Sequence, residues 1–286
     1  MLQRAIHHIQ QTAKIPSFSS FEERLHPYIR NVFGQIDNSK EIEVKGNNLV
    51  FQIGDNPQKP TMALAAHLDK INHYGTHYPE ELPVAVTDEF IEGAMDDCAG
   101  LGIILAVAEI ASKKDFPNLQ FYFSEMEESK GLKEHPELLK NNGKGYEHGM
   151  GARRIAEQCK RLGITPQQVI TLDTTPLFKG EKGVALYSKH WELNGLNASQ
   201  NLIEKTQKVS EEFLSIDKSI KLDNNTNDYL HYGKDFNTEN RKEVISVALE
   251  PAIFPYHQKG ERVFVDDIRR TLDILAAYLE RISKAT

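Results

Sequence analysis

Polar side chains that can bind metal follow directly after several apolar segments of this chain. The clearest case is 61–69, a nearly continuous apolar run that ends in His67-Leu68-Asp69. A run of this kind is typical of a central β-strand covered on both faces. In an open sheet with helices on both faces, ligands bind outside the carboxyl ends of the strands. The position of these polar residues therefore predicts an α/β fold with a functional site at one edge of its sheet.

The order of the predicted strands and helices indicates the same fold class. Strands are predicted at 48–53, 61–69, 119–124, 168–173, 183–188 and 244–249. Helices are predicted for two segments of the first 35 residues, broken at Pro16, and at 98–113, 150–162, about 198–219 and 265–284. Strands that alternate with helices predict a three-layer α/β/α sandwich with a mixed, mostly parallel central sheet.

Composition excludes several classes of protein. The 286 residues carry a formal net charge of -7 and no run of Lys or Arg, which argues against a nucleic-acid surface. No apolar stretch approaches the roughly 20 residues that span a membrane. The two cysteines, Cys98 and Cys159, imply no disulfide framework, so a reducing compartment and a cytoplasmic protein are expected.

His67 and Asp69 form the first of five polar clusters. Because residues i and i+2 of a strand point to the same face, the Asp69 carboxylate can reach the His67 imidazole. A carboxylate behind a metal-bound histidine fixes its tautomer and raises its basicity. Taken alone, a buried His–Asp pair without metal is an equally good interpretation of this cluster.

The next two clusters are acidic. Asp96-Asp97 stands in a turn before the apolar helix at 98–113, and either carboxylate could bridge two metals, although an ordinary helix N-cap would also place an Asp there. Ser124-Glu125-Met126-Glu127-Glu128 follows the strand at 119–124. Adjacent carboxylates repel each other unless a cation neutralises them or one holds a proton. One of them can bind metal while its neighbour accepts a proton, and a solvated acidic loop is the alternative.

Asp173 and His257 complete the set. Asp173 ends the strand at 168–173, and His257 stands eight residues beyond Leu249. Each is a weak signal alone, but together the clusters contain the histidines and carboxylates that suit zinc, with cobalt or manganese as alternatives. One bridging carboxylate, plus one histidine and one further carboxylate per metal, makes a two-metal site. The residues therefore predict two bound divalent ions.

The order His-x-Asp, Asp-Asp, Glu-Glu, Asp, His resembles the co-catalytic zinc exopeptidases, a superfamily of aminopeptidases, dipeptidases, carboxypeptidases and aminoacylases. The resemblance covers nearly the whole chain and includes its opening, Ile15-Pro16-Ser17-Phe18-Ser19. It implies that the Asp96–Asp97 peptide is cis. It also implies five metal ligands with Asp96 as the bridge: His67 and Asp173 for the first metal, Glu128 and His257 for the second.

The resemblance implies a metal-dependent aminopeptidase or dipeptidase that removes N-terminal residues from small peptides. A metal-bridging water would attack the scissile amide with Glu127 as general base, and Asp69 would orient His67. The Asp at 173 looks more like the aminopeptidase branches than the carboxypeptidase ones. Alternatives on the same fold are an N-acyl-amino-acid deacylase, a glutaminyl-cyclase-like enzyme and an inactive binding relative. The expected partner is a small peptide or an N-acyl or aminoacyl substrate.

Spacing within the set predicts one catalytic domain over residues 1–286. From His67 to Asp96 is 29 positions, which is too short for the inserted domain of the glutamyl-aminopeptidase type in this superfamily. From Asp173 to His257 is 84 positions, too short for the lid domain of the dipeptidase and carboxypeptidase type. The chain is therefore expected to be similar to the compact zinc aminopeptidases and the glutaminyl cyclases.

Some features depart from or extend this pattern. Residues 129–148, rich in Lys, Gly and Asn, are predicted to form an inserted loop at the active site. Glu125 could replace Glu127 as the base if the alignment slips. Asp228, in Asn227-Asp228-Tyr229, resembles an aspartate near the substrate in the superfamily, and Tyr256 beside His257 is a further candidate substrate contact.

Overall fold

A central sheet and a smaller second sheet organise the computed structural model, which describes residues 1–128, 134–238 and 243–284. The strands are β1 (Ser39–Ile42), β2 (Leu49–Ile53), β3 (Thr61–His67), β4 (Ala85–Val86), β5 (Phe90–Gly93), β6 (Asn118–Ser124), β7 (Gln168–Leu172), β8 (Val184–Tyr187), β9 (Lys221–Asp223), β10 (Ile245–Pro251), β11 (Ile253–Phe254) and β12 (Glu261–Phe264). The helices are α1 (Leu2–Lys14), α2 (His26–Phe33), α3 (Cys98–Ala111), α4 (Met150–Leu162), α5 (His190–Asn194), α6 (Gln200–Ile216), α7 (Asp228–Asn237) and α8 (Val265–Lys284).

The central sheet has the strand order β1-β2-β6-β3-β7-β10-β8-β9. Its middle strands, β6, β3, β7 and β10, run parallel, while β1, β2 and β8 join antiparallel to their neighbours. The carboxyl ends of β6, β3 and β7 therefore lie side by side at one edge of the sheet. This arrangement confirms the predicted mixed, mostly parallel sheet.

Helices cover both faces of the central sheet, which explains the continuous apolar run in β3. Met62, Leu64 and Ala66 pack into a core that includes residues of α1, α2, α3, α6 and α8. Ala63 and Ala65 point the other way, into a core shared with α4 and α7. Alternate residues of one strand thus fill two cores, and the three-layer prediction is confirmed.

The second sheet is antiparallel, with the strand order β11-β12-β5-β4. Its central pair joins β5 to β12, and Gly93 lies opposite Glu261. These strands were not among the sequence-based predictions, because strands of two to four residues carry too short an alternation to detect. The prediction of a single catalytic domain over 1–286 stays a prediction.

The boundaries of the predicted elements shift in two places that matter for the site. The strand predicted at 61–69 ends at His67, so Asp69 lies in the loop after β3. A helix missed by the sequence, α7, begins at Asp228, and its N-cap Asn227 accepts a hydrogen bond from the Tyr229 amide. Over the described ranges, the helices are all too short or too polar to cross a membrane.

Candidate metal centre

Three strands of the central sheet end in candidate ligands at the same edge. His67 is the last residue of β3, Asp173 follows the end of β7, and the loop after β6 carries Glu127 and Glu128. His67, Glu128 and Asp173 are buried. The structure therefore brings together at one edge the clusters that the sequence predicts to follow the strands.

Asp96 and His257 reach the same point from the second sheet. Asp96 lies between β5 and α3, and its peptide bond to Asp97 is cis, as the resemblance implies. The Asp97 side chain accepts a hydrogen bond from the Gly100 amide at 2.8 Å and caps α3. His257 follows β11 and has a positive φ of 55°.

The Asp96 carboxylate stands between the two histidines. Its Oδ1 lies 3.1 Å from His67 Nε2, and its Oδ2 lies 3.2 Å from His257 Nε2. Glu128 Oε1 is 3.4 Å from His257 Nε2, and Asp173 Oδ1 is 3.9 Å from His67 Nε2. The five predicted ligands thus lie in two groups around one shared carboxylate, and these groups are called half-sites below. One half-site contains His67 and Asp173, and the other contains Glu128 and His257.

Asp97 is a further carboxylate at the first half-site. Ligand atoms of His67, Asp97 and Asp173 lie within 4.8 Å of one another. Asp97 Oδ2 is buried and has no hydrogen-bond partner among the described residues. Asp97 is therefore a second carboxylate that could contact a cation here, whereas the position between the two histidines is that of Asp96.

The electrostatics of this cluster of carboxylates favour a bound cation. Burial raises the pKa of Glu127 and Glu128 well above the ordinary value, and the neighbouring Asp96 carboxylate raises both further. Burial opposes ionisation of Asp96 as well, but hydrogen bonds with His257 and His67 hold its pKa below the ordinary value. In the described part of the chain, the ion-pair partners of Asp96, Glu128 and Asp173 are histidines rather than Lys or Arg. Imidazole and carboxylate donors of this kind suit a divalent metal ion.

His67 has its second ring nitrogen fixed by the backbone. Its Nδ1 lies 2.9 Å from the Asp69 carbonyl oxygen, an atom that can only accept a hydrogen bond. Nδ1 therefore carries the proton, and the lone pair of Nε2 is directed towards Asp96 and Asp173. This is the tautomer that a metal-binding histidine needs.

The Asp69 carboxylate faces His67 and also holds the acidic loop. Its Oδ1 is 3.5 Å from His67 Nδ1, so the predicted approach of the two side chains is present although Asp69 lies in the loop after β3 and not in the strand. The same oxygen accepts the Glu127 amide at 3.0 Å, and Oδ2 accepts the Glu128 amide at 2.9 Å. The Ser19 hydroxyl also donates to Oδ2, at 2.8 Å. Asp69 thus positions the two neighbouring glutamates through their backbone.

Glu125 and Glu127 have different surroundings. The Glu125 carboxylate accepts hydrogen bonds from the Asn47 amide, Asn48 Nδ2 and Arg154, and it is fully buried. Glu127 instead groups with His67 and Glu128, with ligand atoms within 4.8 Å of one another. The geometry therefore favours Glu127 over Glu125 as a general base.

Asp228 and Tyr256 both border this cluster. Asp228 Oδ2 accepts a hydrogen bond from Ser124 Oγ, while Oδ1 is buried without a partner among the described residues. The charge of Asp228 contributes to the raised pKa of Glu127. The Tyr256 ring stacks on His257 with 3.6 Å between the ring centroids.

Glu261 was missed by the sequence-based prediction. Its Oε2 accepts the Met95 amide at 2.9 Å and the Asp96 amide at 3.2 Å, and its Oε1 accepts the His257 amide at 3.1 Å. One buried carboxylate thus holds the backbone of two candidate ligands. No local pattern marks Glu261, because its partners lie 165 residues away in the chain as well as 4 residues away.

Part of the predicted loop 129–148 borders the cluster, and 129–133 lie outside the described residues. The His148 ring is hydrogen-bonded to the Glu127 carbonyl at 2.8 Å. The Lys140 amide donates to Ser20 Oγ at 3.0 Å. Leu138 and Leu139 line a cavity of about 300 Å³ that also touches Glu128 and His257. The described part of this segment therefore forms one wall beside the candidate ligands.

Comparison with known proteins gives a family and a fold. The family described as Peptidase family M28 matches residues 48–271. No curated protein sequence matches the chain. Several solved structures are similar in fold.

One is a TET aminopeptidase from a marine sediment archaeon, Thaumarchaeota archaeon, with 12% identity, a TM-score of 0.69, and 99% of each chain covered. An aminopeptidase from the archaeon Desulfurococcus kamchatkensis has 15% identity and a TM-score of 0.67, with 98% of this chain and 95% of that chain covered. A tripeptidase from Staphylococcus aureus has 14% identity and a TM-score of 0.64, with 99% of each chain covered. At these identities the likenesses show the shared fold.

Proposed function

Because this chain belongs to peptidase family M28, we propose that it is a two-zinc aminopeptidase that removes N-terminal residues from short peptides. One observation carries the proposal: the two oxygens of Asp96 face the Nε2 atoms of His67 and His257 at 3.1 and 3.2 Å. A carboxylate with one histidine on each side is a donor arrangement that can bridge two adjacent divalent ions. Asp173 and Glu128 would each complete one of the two sites.

Glu127 is the proposed general base. Two bound zinc ions would polarise the scissile carbonyl and make water more acidic. The Glu127 carboxylate accepts the proton of the attacking water and later gives it to the departing amine. Its backbone amide is fixed by Asp69, so the carboxylate is held beside His67 and Glu128.

Asp228 is proposed to select a free N-terminus. Its unpartnered Oδ1 is buried beside Glu127, where a positively charged ammonium group would find an acceptor. Tyr256, stacked on His257, is proposed to contact the substrate on the side of the second half-site. Cys98 and Cys159 are both free and buried, which supports the proposal of a cytoplasmic enzyme.

Glu127→Gln tests the proposed mechanism. Because the amide cannot accept a proton, kcat for a dipeptide should fall about 10²–10⁴-fold while the zinc content per chain stays the same. Kinetics and elemental analysis on the same sample measure both. The matched control is Glu41→Gln, an exposed glutamate of β1 paired with Arg30, which should change neither value. Unchanged turnover in Glu127→Gln with zinc bound would contradict the mechanism.

Substrates with and without a free amine test the aminopeptidase assignment. A dipeptide should be hydrolysed and its N-acetylated form should not. Asp228→Asn should raise KM for the free dipeptide about 10- to 100-fold, because a hydrogen bond to a charged group is lost. Faster hydrolysis of the N-acetylated dipeptide would instead identify a deacylase.

A further inference from the structure

The segment that opens the chain packs against the acidic loop after β6. Its sequence from Ile15 to Ser19 resembles the start of the zinc exopeptidases, yet the segment contains no candidate ligand or base. The Ser19 hydroxyl donates to the Glu128 carbonyl oxygen at 3.1 Å. Three residues further along, Glu22 is fully buried. Because a buried carboxylate is costly unless it has partners, the contacts of Glu22 indicate what this segment does.

The Glu22 carboxylate accepts three N–H groups. Its Oε1 accepts the Ser20 amide at 2.8 Å and the Met126 amide at 3.2 Å, and its Oε2 accepts Asn47 Nδ2 at 2.9 Å. The bond to Met126 connects the opening segment to the acidic loop across 104 positions of the chain. Since Met126 is buried, water could not replace Glu22 as the acceptor for its amide.

Met126 has a backbone conformation that needs support. Its φ is 61°, in the left-handed region that residues other than glycine rarely adopt, because the Cβ atom is crowded there. The Gly149 amide donates to the Met126 carbonyl oxygen at 2.9 Å. Both backbone polar groups of Met126 therefore have fixed partners. A conformation of this kind persists only where the surrounding structure holds it.

The left-handed turn at Met126 separates two glutamates that an extended chain would place together. In a strand, the side chains at i and i+2 point to the same face. Here Glu125 is instead bound by Arg154, whereas Glu127 lies beside His67. The conformation of Met126 thus directs Glu127 into the cluster of candidate ligands.

We propose that Glu22 is a positioning residue for the general base: its hydrogen bond to the Met126 amide maintains the left-handed turn and so keeps the Glu127 carboxylate in the cluster. This inference rests on the proposed function, in which Glu127 accepts the proton of the attacking water. Asp69 holds the other end of the loop through the Glu127 and Glu128 amides. Loss of Glu22 should therefore misplace Glu127 and leave Glu128 in its half-site.

Glutamine is a close substitute for Glu22. Burial and, to a smaller extent, the charge of Asp69 raise the pKa of Glu22 to about 8, so its carboxyl group holds a proton in most molecules at pH 7. Glutamine is neutral, has the same shape and keeps an oxygen that accepts the Met126 amide, while the Asn47 amide can turn to accept from its NH₂ group. Glu22→Gln therefore preserves the proposed contact, and Glu22→Ala removes it.

Kinetics of these two variants in the zinc-loaded full chain test the proposal. Because a small misplacement of a catalytic group is costly, kcat for a dipeptide should fall about 10- to 100-fold in Glu22→Ala. KM should stay within about threefold of the wild-type value, and the zinc content per chain should not change. In Glu22→Gln, kcat should stay within about threefold of the wild-type value. Glu41→Ala, at an exposed position of β1, is the matched control and should change none of these values.

Thermal unfolding of each variant shows whether it is folded. A lower melting temperature of Glu22→Ala with unchanged kcat would overturn the proposal, because it would show a purely structural role. If the alanine variant is unfolded, Glu22→Asp takes its place, since the shorter side chain withdraws the carboxylate from the Met126 amide.

A double-mutant cycle shows whether Glu22 acts through Glu127. In the Glu127→Gln background the base is already lost, so Glu22→Ala should lower the remaining kcat less than about threefold. The same 10- to 100-fold loss in both backgrounds would show that Glu22 acts through another group and would overturn the assignment.

Amide hydrogen exchange gives a readout that does not depend on activity. Exchange at 126–128 should be faster in Glu22→Ala than in the wild type and in Glu22→Gln, because the Met126 amide has lost its acceptor. Unchanged protection would overturn the proposal even if the wild type hydrolyses no peptide. Failure of the proposed function is a separate result, in which the zinc-loaded wild type is inactive or Glu127→Gln retains full turnover.

Discussion

The central sheet and the second sheet bring candidate ligands to the same point in different ways. His67 is itself a residue of β3, and Asp173 comes directly after β7, so the parallel strands fix their positions. Asp96 and His257 lie in turns beyond the short strands β5 and β11. The backbone of both turns is held by one buried side chain, Glu261.

The difference concerns what supports each half-site. In the central sheet, backbone hydrogen bonds between neighbouring strands continue up to His67, which pairs with Ser124 in β6. In the second sheet, the same support depends on three hydrogen bonds to Glu261. A half-site held by one carboxylate is easier to loosen than a half-site built on paired strands.

Replacing the histidine of either half-site should cause the largest losses of zinc affinity and of activity. His67→Ala and His257→Ala should each weaken zinc binding more than about 100-fold, beyond the effect of a residue behind a ligand, and abolish measurable hydrolysis. Because Asp96 contacts both histidines, each variant should also weaken the other half-site. Equilibrium dialysis with zinc measures this, and His77→Ala, in an exposed loop, is the control. A variant that retains two zinc ions and full turnover would remove that histidine from the site.

Glu261→Gln and Asp69→Asn compare the two carboxylates that hold backbone amides. Each amide side chain loses one acceptor, so zinc affinity should fall about 10- to 100-fold in each variant. Glu261→Gln should loosen the half-site of Glu128 and His257, whereas Asp69→Asn should also lower kcat because it frees the Glu127 amide. Zinc titration calorimetry and kinetics separate the two effects.

Glu89→Gln, an exposed residue beside β5, is the control for this pair. Equal zinc affinity in Glu261→Gln and in the control would show that the second sheet holds its ligands without this carboxylate.

Removing the metal should affect the two sheets unequally. At free zinc about a thousandfold above Kd, binding stabilises the fold by about 4 kcal/mol, which a chelator removes. Amide hydrogen exchange should then increase more at 95–97 and 255–258 than at 62–66 in β3. Exchange measured with and without chelator tests the comparison directly. Equal increases in both regions would contradict it.

Once a chelator has removed the zinc, the protein should lose stability in acid because of His190, which lies outside the cluster of candidate ligands. Burial lowers the pKa of His190 to about 4, so the folded state keeps this ring neutral where the unfolded state, with a pKa near 6.5, is protonated. Stability is therefore unaffected above about pH 6.5 and falls as the pH drops from there towards 4, by up to about 3 kcal/mol in total.

Urea unfolding of the chelated wild type between pH 7 and 4.5 measures this slope. His190→Gln should flatten it, and His77→Ala should leave it unchanged. Parallel curves for wild type and His190→Gln would show that the acid response arises at other residues, such as those of the metal centre.

Much of the site could be predicted because the signals are local. The apolar run in β3 and the acidic residues after β6 and β7 stand in sequence where the parallel strands end, and that order brings His67, Glu128 and Asp173 together. Asp96 and His257 were weaker signals, since each lies in a turn beyond a strand too short to recognise. Their assignment as ligands depended on the order of the whole set and on its resemblance to the zinc exopeptidases.

The sequence by itself determined the layered fold, because burial of apolar residues with a period of two or 3.6 is a local property of the chain. Tertiary structure alone decided the role of each carboxylate at the site. Glu125 and Glu127 are two residues apart, yet one is bound by Arg154 and Asn48 and the other lies beside His67. Glu261 reaches Asp96 across 165 residues. The role of a carboxylate depends on the donors and charges that packing brings to it, and these come from distant parts of the chain.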